Sequence, residues 1–167
     1  SLQYNIPLLK GKIEVAKGNF AVAIPLITQA IDSIRETDRR ELARIHSYLS
    51  ADVYQPQKLY DEALAQINRS IAVLIPDFKP DELESLPSEG QLRPIHDLIT
   101  FFALKAEILY QRDKEGNRKN PAHLEAALSC YDLLVKTENL IRNYYVMQDA
   151  NYRALEDRHR YLELALT

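Results

Sequence analysis

The chain has 167 residues, of which 46% are apolar and 27% charged, with a net charge of −3. That length and apolar content suffice for one domain with a real core, and the acidic balance excludes a general nucleic-acid binder, which needs surplus Lys and Arg to displace counterions. No apolar run approaches the ~20 residues that span a bilayer, and a single cysteine, Cys130, excludes an internal disulfide framework.

Helical periodicity dominates from the first residues onward. Segment 6–17 puts Ile6, Leu9, Ile13 and Ala16 on one face, with Pro7 expected in the first turn, where a missing N–H costs nothing. Gly18-Asn19 then breaks the pattern, and Asn19 is placed to cap segment 20–36, which carries Phe20, Ala23, Ile24, Ile27, Ala30, Ile31 and Ile34. Pro25 lies inside that segment and predicts a kink or a late helix start. Segment 40–55 carries Leu42, Ile45, Leu49 and Val53 and closes at Pro56; segment 59–75 carries Tyr60, Ala63, Leu64, Ile67, Ile71 and Leu74 and closes at Pro76.

Residues 76–94 hold Pro76, Pro80, Pro87 and Pro94 and read as a long connection, with one helical turn expected near Asp81–Leu86. Segment 95–111 follows, with Leu98, Phe102, Ala106 and Leu109, and then a charged turn insertion at 112–121. Segment 122–146 carries Leu124, Ala127, Leu128, Tyr131, Leu134 and Ile141, and a seventh segment, 150–166, carries Tyr152, Leu155, Leu162 and Leu166. Four glycines in the whole chain also favour helices over a fold of many tight turns.

Small residues recur at fixed intervals. Gly11, Ala23 and Ala30 are 12 and then 7 apart; Ala51, Ala63 and Ser70 repeat those spacings; Ala106, Ala127 and Leu134 repeat them once nine residues of the charged insertion are removed. Two antiparallel helices approach closely only where neither is bulky, so Gly11 against Ala23 and Ala51 against Ala63 are the expected contacts. A lone helix pair cannot bury both its faces, which is why such pairs stack.

The motifs Lys-Gly-Asn-Phe-Ala-Val-Ala-Ile (17–24) and Lys-Leu-Tyr-Asp-Glu-Ala-Leu (58–64) resemble the tetratricopeptide repeat family. The resemblance implies an all-α, right-handed superhelix of about seven helices in antiparallel pairs. Its units are repeat 1 at about 4–37, repeat 2 at about 40–75, the connection 76–94, an interrupted repeat 3 at about 95–140, and a partial repeat at 141–167. A narrower likeness lies in the order Leu-Ile-Pro-Asp-Phe (74–78), Leu-Lys-Ala-Glu-Ile-Leu-Tyr (104–110), Leu-Glu-Ala-Ala-Leu-Ser-Cys-Tyr (124–131) and Ile-Arg-Asn-Tyr-Tyr (141–145). It resembles the repeat region ahead of the caspase-like peptidase in bacterial CHAT proteins, which implies a regulatory module reading a partner or its own downstream domain.

What the resemblance implies about a site is a concave groove that takes a protein or peptide, with Lys12, Tyr48, Asp52, Gln55, Glu107 and Tyr110 on its inner surface. Tyr54, Tyr60 and Tyr131 fall on packing positions instead. The groove lacks the Asn and Lys/Arg pattern that clamps C-terminal carboxylates in chaperone-binding relatives. No catalytic, cofactor or metal site is expected. Cys130 reads as a packed thiol, and His46, His96, His123 and His159 are scattered without ligand spacing. Acid pairs such as Asp61-Glu62 read as first-turn charges.

The reading that follows is a non-catalytic interaction scaffold, with a spacer or a weak homodimer through the C-terminal helix as the alternative. No nucleic-acid or membrane partner is expected. One cysteine fits a reducing, cytoplasmic setting. A start at Ser1 and a stop at Thr167 within a helical pattern read as a piece of a longer protein.

Overall fold

A computed structural model describes the backbone of residues 2–35, 37–116 and 121–165 and the side chains of 4–35, 37–116 and 121–153. The described residues form six α-helices and no strand: α1 (Leu2–Ala16), α2 (Phe20–Asp32), α3 (Arg39–Tyr48), α4 (Tyr60–Leu74), α5 (His96–Glu115) and α6 (Pro121–Ala165). The last two expected segments are one helix. Residues 147–149, Met-Gln-Asp, contain neither Gly nor Pro, so nothing stops the backbone ladder there.

Consecutive helices pair antiparallel. Glu14 meets Asn19 while Gly11 meets Ile27, across α1 and α2. His46 bonds Gln66 at 2.8 Å while Ser50 bonds the Ala63 carbonyl at 2.8 Å, across α3 and α4. The ring of His96 lies 6.4 Å from that of Tyr145, across α5 and α6. Between pairs, α3 and α5 run parallel, since Arg44 meets Asp97 at one end and Gln55 meets Glu107 further along.

The expected stripes of α2 to α5 are the core. Ala23, Ile27 and Ala30 pack with Leu8, Ile45, Leu49 and Val53 in one cluster. Ala63, Leu64, Ile67 and Ile71 of α4 pack with Leu98, Phe102, Ala106 and Leu109 of α5 in the other. The stripe expected on α1 is not. Ile6, Leu9 and Ile13 are 58%, 62% and 45% exposed, while Leu8 and Gly11 are buried. This helix is apolar on two faces, and only the one carrying Gly11 can come close to α2. There a Cβ on Gly11 would lie 2.6 Å from Ile27 Cγ1.

Local signals hold with corrections. Gly18 has φ +78, the left-handed region that suits glycine and lets the α1–α2 turn close. Asn19 takes the N-cap position of α2, but its amide donates to Glu14 at 2.7 Å instead of capping. Pro7 lies inside α1 because that helix starts at Leu2, not at residue 6. Pro25 lies inside α2, which starts at Phe20, so the late start does not occur; Pro25 and Ala21 both sit on the exposed face. Arg112–Glu115 continue α5 rather than opening a turn, Gly116 caps it and Pro121 begins α6, while residues 117–120 of the expected insertion lie outside the described residues.

Beyond Tyr48 the third helix widens into a π-helical segment, Leu49–Tyr54, in which the Gln55 N–H donates to the Ser50 carbonyl. Pro56 follows. It has no N–H for the Asp52 carbonyl and its ring crowds that oxygen, so the ladder cannot stay α here.

The connection 76–94 is not a surface loop throughout. Phe78 and Leu92 are buried in the second cluster, and its helical turn lies at Glu89–Gln91, not at 81–86, fixed by a capping box with Ser88. Two buried polar side chains hold it in place. Asn68 of α4 donates to the Glu82 and Leu83 carbonyls at 3.2 and 3.1 Å, and Lys105 of α5 donates to Asn68 Oδ1 at 2.6 Å and to the Ser85 carbonyl. The connection's carbonyls in turn supply acceptors for two donors that burial would otherwise orphan.

Candidate functional site

An open groove of about 790 Å³ lies along one face of the helix stack. Its lining comes from four helices: Lys12 from α1; Arg44, Ser47, Tyr48, Ala51 and Asp52 from α3 and its π-helical continuation; Thr100, Ala103, Leu104 and Glu107 from α5; and Tyr131 from α6. The floor is small and apolar where Ala51, Ala103 and Leu104 lie, and the walls carry two tyrosines.

Four of the six residues expected on an inner surface line this groove: Lys12, Tyr48, Asp52 and Glu107. Gln55 adjoins it, its amide donating to Glu107 Oε1 at 3.1 Å. Tyr110 is 50% exposed and is not among the lining residues. Tyr131, expected in the core, is 51% exposed and faces the groove instead. The buried face of α6 is Ala127, Cys130, Leu133, Thr137 and Ile141, and Tyr131 lies one residue, or about 100°, past Cys130. Arg44, Ser47, Thr100, Ala103 and Leu104 were not singled out by sequence, and Ala51, expected against Ala63, lines the groove instead. The signal was present: on α3, 44, 48, 51 and 55 share a face, and so do 100, 103, 104 and 107 on α5.

The electrostatics differ from end to end. Where α3 and α5 begin, Asp97 accepts Arg44 through Nε at 3.2 Å and Nη2 at 3.1 Å and is also in contact with Arg40. Two turns along, Asp52 and Glu107 have no Lys or Arg partner among the described residues, and Glu107 takes only the neutral Gln55 amide. Lys12 Nζ lies 5.0 Å from the centre of the Tyr48 ring, a cation–π contact at the α1 edge. The Tyr48 hydroxyl is pushed above its usual range by burial and then by the Asp52 charge.

Other reactive groups lie elsewhere. Cys130 is fully buried, and burial pushes its thiol up to about 11. His46 is buried between α3 and α4, where desolvation lowers its pKa and Gln66 fixes its ring. His159 lies outside the described side chains. A second cleft of about 420 Å³ opens between Arg39, Arg40, His96 and Tyr145 at the far end of the stack. Past Ile141, α6 carries exposed Tyr144, Tyr145, Val146, Met147 and Tyr152. No group of three or more His, Cys, Asp or Glu suited to a metal ion occurs among the described residues, and none of the described helices is long and apolar enough to cross a membrane.

Comparison of the chain with protein-family models, curated proteins and solved structures finds no match.

Proposed function

We propose that the chain is a non-catalytic, tetratricopeptide-type scaffold whose groove receives a segment of another protein. The single observation that carries this reading is the groove itself: a lengthwise channel of about 790 Å³ with small residues on its floor and tyrosines on its walls. Tyr48 and Tyr131 offer large contact area and a hydroxyl at low entropic cost, which is what recognition surfaces favour. Antiparallel pairs with α3 and α5 side by side are the arrangement that stacked repeats use to make an extended concave face. The groove is open along its length, unlike the enclosed cavities that bury most of a small ligand.

The experiment is a selection of short random peptides displayed against the protein. Enriched peptides are expected to lose binding to Thr100→Trp, which places a bulky ring in the groove from an exposed position. Failure to enrich any peptide, or binding indifferent to Thr100→Trp, refutes the groove as a receptor.

A further inference from the structure

We infer that the groove selects a segment presenting one lysine or arginine beside an apolar side chain, with the basic group held between Asp52 and Glu107. This rests on the receptor reading above and adds the chemistry of the ligand.

Charge complementarity carries the argument. At one end of the groove, Arg44 shares the carboxylate of Asp97 with Arg40, which lies beyond the groove lining, so two arginines face one acid there. At the other end, Asp52 comes from the π-helical segment, and Glu107 lines the same groove from α5, tied to Gln55 of the turn after that segment. Neither acid has a basic partner within ion-pair distance among the described residues, whereas Asp97, Glu115 and Glu84 of the same helix stack are all matched. Lys12, at the α1 edge of the groove, makes no ion pair with either acid, its ammonium resting over the Tyr48 ring at 5.0 Å.

A basic side chain entering here gains two carboxylates at once and an aromatic face on Tyr131, a combination that suits a guanidinium or ammonium group. Ala51, Ala103 and Leu104 leave an apolar recess alongside for its neighbour. The positive excess at the Arg40–Arg44 end repels further cations. A run of basic residues is therefore disfavoured against a single one, and the ligand is given a direction along the groove.

The test uses the peptides recovered by the random selection. Enriched sequences are expected to hold one Lys or Arg adjoining Leu, Ile, Val or an aromatic. Fluorescence anisotropy of the strongest synthetic peptide should show binding about tenfold or more weaker to Asp52→Asn/Glu107→Gln, with circular dichroism melting unchanged because both sites are exposed. Replacing the peptide's basic residue by norleucine should cost a similar factor and leave little further loss in the double variant.

Enriched peptides that lack basic residues, that carry basic runs, or that bind the double variant as well as wild type overturn this inference. If those peptides still fail on Thr100→Trp, the groove remains the receptor and only the charge selection falls. If they ignore Thr100→Trp, the receptor reading falls with it.

Discussion

Replacing Gly11 by alanine tests the contact on which the first helix pair depends. In isolation this change favours a helix by about 1 kcal/mol. Here the added Cβ would lie 2.6 Å from Ile27 Cγ1 and 3.3 Å from the Ala23 carbonyl, against an unstrained carbon separation of about 3.5–4.0 Å. Ile27 is fully buried, and Cγ1 moves only if χ1 leaves the rotamer a helical Ile strongly prefers, so relief by rotation is itself costly. The helices must part by about 1 Å. Overpacking of this kind costs about 1–3 kcal/mol, and a backbone-limited contact belongs at the upper end. Setting that against the helical gain leaves a net loss of about 2 kcal/mol, or roughly 4–8 °C in Tm for a chain of this size. Urea unfolding followed by far-UV circular dichroism measures it. Gly90→Ala is the control, since nothing lies within 4 Å of its Cβ position. In an Ile27→Ala background the 2.6 Å contact is gone and only the 3.3 Å approach to the Ala23 carbonyl remains, so most of the cost of Gly11→Ala should disappear. A Gly11→Ala variant as stable as wild type refutes close approach at this position, and a cost undiminished without Ile27 refutes Ile27 as its cause.

Lys105 and Cys130 give two further measurements. Burial pushes the Lys105 ammonium from 10.5 down to about 8, so between those values the unfolded chain holds more protons and stability rises with pH, by an amount that reaches about 3 kcal/mol near pH 10.5 relative to pH 7. Urea unfolding of wild type and Lys105→Met across that window isolates this contribution as the difference between the two slopes, since the raised Cys130 thiol acts with the opposite sign in both above about pH 9; equal slopes would contradict the burial. Cys130, fully buried and pushed up to about 11, should react with a disulfide reagent at least ~100-fold more slowly in the native protein at pH 8 than in urea. Prompt labelling of the folded chain would place the thiol at the surface.

The legible parts of the fold were those with one apolar face and clear punctuation. On α4 the apolar residues fall on a single stripe, and Pro76 ends the helix one residue after its cap. On α1 the apolar residues cover two faces, and the longer stripe, Ile6, Leu9 and Ile13, misleads because steric access and not apolar count decides which face is buried. On α6 the same ambiguity misplaced Leu128 and Tyr131, both exposed. Lys105 was invisible because its burial depends on acceptors from Asn68 and Ser85, which are remote in sequence. Of the residues that line the groove, Lys12, Tyr48, Asp52 and Glu107 were those the repeat resemblance implied, while Arg44, Ser47, Thr100, Ala103, Leu104 and Tyr131 were not. Tyr110 failed because the groove ends before the last turns of α5.

The π-helical segment links these observations. In the first pair, Gly11 packs at Ala23, twelve positions on, as the small-residue spacing requires. In the second pair the spacing points to Ala51 opposite Ala63, but the buried small residue there is Ser50, whose hydroxyl donates to the Ala63 carbonyl over a separation of 13. One residue is therefore extra in the second pair, and a π turn is the means by which a helix absorbs one extra residue without breaking. Pro56 makes the α ladder unfavourable at the same place. The consequence reaches the groove. Ala51, freed from the interhelical contact, lines the floor, and Asp52 beside it joins Glu107 in the lining. Without the extra residue, Ala51 would pack against α4. The carboxylate on which the proposed ligand depends would then be carried about 100° around the helix.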